Sequence, residues 1–126
     1  MKIYKLKAFV RFQRKERLSD ASLIKAIDNA EQGLVDADLG SGLIKQRVAR
    51  AGQGKSGGYR TLIAFRRGER AVFLFGFGKN ERANIDDDEL QEFRRLARAF
   101  LALTADQASA LISADEWMEV SNDRTD

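Results

Sequence analysis

The chain has 126 residues, about the size of one domain, and contains neither histidine nor cysteine. The first absence removes the usual neutral-pH base, the commonest metal ligand and every Ser-His or Cys-His nucleophile; the second removes disulfides and thiolate metal sites. No apolar run approaches the roughly 18 residues of a membrane span, and the charge-interrupted start MKIYKLKAFVRF lacks an apolar signal segment, so the cytoplasm is the expected compartment.

The net charge of +3 is unevenly laid out: residues 1–42 carry +2, residues 43–82 carry +8 and residues 83–126 carry −7. Ten Lys or Arg stand against two acidic residues between Leu43 and Arg82. Such asymmetry points to one face dedicated to a polyanion.

In chain order, Ile3 to Ala8 alternates as a strand, with Tyr4, Leu6 and Ala8 on one face and Lys5 and Lys7 on the other. Ala8 to Arg17 reads as a short basic helix carrying Phe9 and Phe12. Asp20 to Gln32 is predicted helical: Ser19 or Asp20 caps it, Leu23, Ile27 and Ala30 recur at helical spacing, and Gly33 ends it. Val35 to Gly42 (VDADLGSG) reads as a polar connection.

Leu43 to Arg50 is predicted as a strand with Ile44 and Val48 on an apolar side and Lys45 and Arg47 on a cationic one. Tyr59 to Arg66 follows as a second strand, Gly68 turns the chain, and Ala71 to Gly78 (AVFLFGFG) is apolar on both faces, as a central covered strand requires. Asp86 to Leu103 is a helix capped by Asp86 and Glu89, with a stripe of Leu90, Phe93, Ala97 and Phe100. Thr104 and Gln107 cap a shorter helix to about Ile112, and Glu116 to Val120 is a last strand. The expected fold is one α+β domain over residues 1–126, an antiparallel sheet with two N-terminal helices and C-terminal helices.

Between the first two central strands lies GQGKSGGYR, Gly52 to Arg60. Ala49 to Ser56 satisfies a relaxed nucleotide-binding pattern, but a phosphate loop must open a helix, and here Gly57, Gly58 and a strand follow. A polyanion site fits better. Lys45, Arg47, Lys55, Arg60 and Lys79 converge on adjacent strands, where they repel one another unless an anion is present, and glycines at 52, 54, 57 and 58 let backbone N–H groups approach phosphate.

GLIKQRVARAGQGKSGGYRTLIAF followed by RAVFLFGFGKNERANI resembles the RelE/HigB group of bacterial type II toxins, and the likeness runs from FVRFQRKE through GLVDADLG to EWMEV. The resemblance implies a RelE-like sheet flanked by helices, a ribosome-dependent mRNA endonuclease without cofactor or metal, and a cognate antitoxin, commonly a helix-turn-helix DNA-binding protein. It maps the family's paired basic positions onto Lys45 and Arg47, its arginine in the Gly-Tyr-Arg block onto Arg60, and the basic position after the last central strand onto Lys79. Better-known members carry an arginine where this chain has Asn80, and a catalytic tyrosine where it has Asp86.

Metal-free RNA cleavage needs a deprotonated 2′-hydroxyl, cations on the pentacoordinate phosphorus and a protonated leaving 5′-oxygen. The expected assignment gives the phosphorus to Arg60 and Lys79. Arg47 and Lys55 hold flanking phosphates, with Gly57, Gly58, Asn80 and Arg82 around them. Lys45, among other cations, is base or proton donor, and Glu81 is the competing base. Tyr59 stacks on a nucleobase or is a strand residue. Two alternatives stay open: a ParE-like gyrase inhibitor, which would not need this cation set, and a non-catalytic RNA-binding module.

Overall fold

The structure, a computed structural model, describes residues 1–50, 58–78 and 85–120. Its elements are β1 (Lys2–Leu6), α1 (Lys7–Glu16), α2 (Asp20–Glu31), β2 (Ala37–Gly40), β3 (Leu43–Val48), β4 (Tyr59–Arg66), β5 (Arg70–Gly78), α3 (Asp87–Ala102), α4 (Ala105–Ser113) and β6 (Trp117–Val120). The fold is α+β, with an open sheet of order β2-β3-β4-β5-β1-β6. Every pairing is antiparallel except β1 with β5, which is parallel because the chain travels through α1, α2 and the β2 to β5 meander before returning beside its first strand.

The helix starts follow from their caps. Ser19 accepts from Ser22 N at the head of α2, and Asp86 accepts from Glu89 N at the head of α3, where three further acidic residues fill the first turn. At α4 both halves of the Thr104 and Gln107 capping box form. Each helix pair buries one face of the sheet. Phe9 of α1 with Leu23, Ile27 and Ala30 of α2 packs on Ile44, Val48, Ile63 and Phe73; Ala97 and Leu101 of α3 with Ala108 of α4 packs on Leu43, Leu62, Ala64, Val72 and Trp117. Strand β5, covered on both sides, is therefore apolar from Ala71 onward.

Besides the parallel β1 and β5 pair in a sheet predicted to be antiparallel, and the end of β1 at Leu6 rather than Ala8, two features differ from the sequence expectation. Val35 to Gly42 contains a strand, β2, paired antiparallel with β3 through a turn at Ser41 and Gly42, both left-handed with φ of 59° and 83°. Two left-handed residues match the twist of a hairpin, and a side chain at Gly42 would collide with Leu101. The second difference is Lys5. Both faces of β1 are covered, so Lys5 lies under α1 and α2, only 7% exposed. Its Nζ donates to Gln13 Oε1 at 2.7 Å and to Asp20 Oδ1 at 2.8 Å, while Gln13 Nε2 donates to Asp20 Oδ1 and to Leu18 O. Partial burial pushes the Asp20 carboxyl up, but hydrogen bonds from Lys5 and Gln13 and the Lys5 charge outweigh it and hold the group below its usual value.

Candidate nucleic-acid interface

Antiparallel register sets Arg47 directly opposite Arg60 and Lys45 opposite Leu62. The two-residue period then puts all three cations on the face that buries Leu43 and Leu62 against α3. Helix α3 anchors at the other end of that face, where Arg94 bonds Leu39 O, Arg98 bonds Ser41 and Leu101 O accepts from Arg66. Lys45, Arg47 and Arg60 are left half-buried beside it.

The side chain of Arg47 lies across Gly58. A Cβ at that position would stand 3.1 Å from Arg47 Cγ and 3.0 Å from Val48 O, so the glycine makes room for the arginine stem. Arg47 Nε is buried and, among the described residues, has no hydrogen-bond partner. Opposite it, Arg60 is 22% exposed and its Nε is 3.9 Å from Asp36 Oδ2, an ion pair too long to be a hydrogen bond. Like charges facing each other across a strand pair repel, and a buried N–H without an acceptor costs free energy. An anion between the two guanidiniums relieves both.

Asp36 owes its position to Gln46, a buried amide on the opposite face of β3. Gln46 Nε2 donates to Ala26 O and Leu34 O, both at 2.9 Å, and its Oε1 accepts from Asp36 N at 3.2 Å. The amide thus ties residues 34 to 36 to α2 and to the sheet. A groove of about 900 Å³ opens between α2 and the outer edge of β3, with Lys25, Asn29, Leu34, Asp36, Gln46 and Arg47 in its wall. Neither Asp36 nor Gln46 emerged from the sequence reading. The signal for Gln46 was there: it is a polar residue between Ile44 and Val48 on a buried stripe.

Of the residues expected at the site, the structure brings together Lys45, Arg47, Arg60 and Gly58. Lys55, Gly57, Lys79, Asn80, Glu81 and Arg82 lie outside the described residues. Tyr59 requires a correction. Its side chain lies on the α1 side of the sheet, away from Arg47 and Arg60, where the residue is 8% exposed and its ring meets Phe12 edge-on at 5.6 Å. The hydroxyl donates to Glu16 Oε1 at 2.8 Å and accepts from Arg50 at 3.2 Å. The Glu16 bond, burial and the Glu16 charge outweigh Arg50 and raise the phenol above its ordinary value. A covered ring on the wrong face offers no platform for a nucleobase.

Among the described residues no group of three or more acidic side chains is arranged to hold a metal ion, and no helix is long and apolar enough to cross a membrane. A family profile described as "RelE toxin of RelE / RelB toxin-antitoxin system" matches residues 1–120. The chain belongs to the RelE toxin family. The match spans both helix pairs and the whole described sheet, so the arginine pair of β3 and β4 sits inside a RelE toxin fold. As a RelE-type toxin the chain is one half of a toxin-antitoxin system and has an antitoxin as partner. No curated protein gives a significant sequence match.

Proposed function

We propose that this RelE-type toxin, a single domain over residues 1–126, is a metal-independent endoribonuclease that cuts mRNA on the ribosome in the cytoplasm. In this reading it is held inactive by a helix-turn-helix antitoxin. The observation that carries the proposal is the opposed pair of Arg47 and Arg60, with a buried Nε that no acceptor among the described residues meets. Cations fixed on strands and partly removed from water stabilise the charge that develops on a phosphorane far better than mobile surface lysines do. Arg60 and Lys79 take the equatorial oxygens of the scissile phosphate, and Arg47 and Lys55 hold flanking phosphates. Gly57, Asn80 and Arg82 complete the phosphate contacts. Lys45 and Glu81 are the candidates for proton transfer among the residues singled out in the sequence.

The test adds purified toxin to ribosomes translating a defined message and maps new 5′ ends. Arg60→Ala and Lys79→Ala should each slow cutting by about 100-fold, as loss of one preorganised charge contact does. Equal rates in parent and variants refute the assignment. Intact messages together with a DNA-damage response in cells would point to gyrase instead.

A further inference from the structure

Resting on that nuclease reading, we infer that Asp36 is the proton acceptor for the attacking 2′-hydroxyl. Among the described residues, β3 and β4 bring no carboxylate to the cation cluster, and Asp36 supplies one, 3.9 Å from Arg60 Nε. Among the described residues that carboxylate receives no hydrogen bond, so its oxygens keep their lone pairs. Its backbone is nonetheless fixed, because Gln46 binds Asp36 N and Leu34 O and is itself anchored on Ala26 O. A held carboxylate with unsatisfied acceptors, half in an open groove, is what proton abstraction needs. Glu16 is engaged by the Tyr59 hydroxyl on the other face of the sheet and is not a competitor.

In the free protein Asp36 serves as the counter-ion of Arg60. A substrate phosphate, which accepts from both arginines, displaces it from that role. In a near-attack geometry the 2′-oxygen stands about 3 Å from the phosphorus, so a phosphate on Arg60 Nε brings the 2′-hydroxyl beside Asp36. The proton passes from the 2′-oxygen to Asp36, the 2′-oxygen to phosphorus bond forms, and the bond from phosphorus to the 5′-oxygen breaks. The Lys45 ammonium gives its proton to the leaving 5′-oxygen. The products are a 2′,3′-cyclic phosphate and a 5′-hydroxyl end, and solvent restores Asp36 and Lys45.

A base that is also a competing anion has an unusual signature: its removal impairs cutting while favouring binding. The experiment compares parent, Asp36→Asn and Asp36→Glu in two assays, cutting of a ribosome-bound message and binding of a 2′-O-methyl RNA oligonucleotide, which cannot be cut. Asp36→Asn is expected to cut at least about 100-fold more slowly. It should bind the oligonucleotide as tightly as the parent or tighter, with an unchanged thermal midpoint, and Asp36→Glu should recover part of the rate. Cutting by Asp36→Asn within threefold of the parent overturns the inference while leaving the nuclease reading intact. Weaker oligonucleotide binding by Asp36→Asn also overturns it, by making Asp36 a support for Arg60. A parent that cuts nothing refutes the nuclease reading itself, and the role of Asp36 falls with it.

Discussion

Replacing Arg47 by methionine should make the protein more stable while disabling it. Methionine keeps an unbranched stem over Gly58 but removes the charge and the buried Nε. Two terms set the size. Like charges directly opposed across a strand pair cost roughly 0.2–1 kcal/mol, and Arg60 is only weakly offset by Asp36 at 3.9 Å. A buried donor without an acceptor costs about 1–3 kcal/mol. Some packing of the longer arginine stem is lost in exchange, which leaves an expected gain of about 1–2 kcal/mol. For a domain of this size that corresponds to a rise of roughly 3–10 °C in Tm. The assay is thermal unfolding followed by circular dichroism at low salt, repeated with inorganic phosphate as a probe anion. Phosphate should raise the Tm of the parent clearly and that of Arg47→Met much less, because only the parent keeps the pair of guanidiniums. Growth arrest and message cutting should both be lost in the variant. An Arg47→Met protein less stable than the parent by 1 kcal/mol or more would show that the arginine is held by the fold for structural reasons, and would refute the reasoning.

Three other outcomes follow from the packing. Asp20→Asn removes the charged partner of buried Lys5 and should cost about 2 kcal/mol at pH 7, a value reduced because the Asp20 side chain is 48% exposed. Asp20 is depressed below its ordinary 3.8 in the folded state, so its stabilisation is complete above that value and lost as pH falls through the folded pKa. In urea titrations the gap between parent and variant should narrow below pH 3.8, and a constant gap would contradict the linkage. Gly76→Ala drives a Cβ into the Phe12 ring and should destabilise by about 1–3 kcal/mol, with much of the loss recovered in a chain that also carries Phe12→Leu. Thr104→Ala opens the capping box of α4 and should cost about 1 kcal/mol in equilibrium denaturation.

The sequence made the helices legible because their signals are local: caps at Ser19, Asp86 and Thr104, and apolar residues at helical spacing. The strands β3, β4 and β5 were legible for the same reason, since alternation and a doubly apolar run announce one covered face or two. Strand β2 was not, because Ala37–Gly40 (ADLG) has low strand propensity and is held by features outside the segment, its hairpin partner β3 and the distant α3. At the site, the positions of Lys45, Arg47 and Arg60 were readable, but the register that sets Arg47 against Arg60 was not. Tyr59 was placed on the correct strand and given a role that its face forbids: its neighbours Phe12 and Glu16 come from α1, more than forty residues earlier.

The contrast between Lys5 and Arg47 separates structural from functional charge in this fold. Both are cations on alternating strands, and nothing in their local sequence distinguishes them. Lys5 is met by Gln13 and Asp20, so its charge and hydrogen-bonding needs are answered inside the protein, and its role ends in tying β1 to α1 and α2. Arg47 is met by another arginine and, among the described residues, by no acceptor at Nε. Burying an ion is tolerable when the fold supplies the counter-charge; where the fold supplies a second cation instead, the missing anion has to come from outside. An RNA phosphate meets that requirement in charge and in the number of acceptor oxygens it offers to two guanidiniums. Asp36 marks how far the protein answers the requirement by itself: near enough to moderate Arg60, too far to hydrogen-bond it, and so displaceable by a better acceptor.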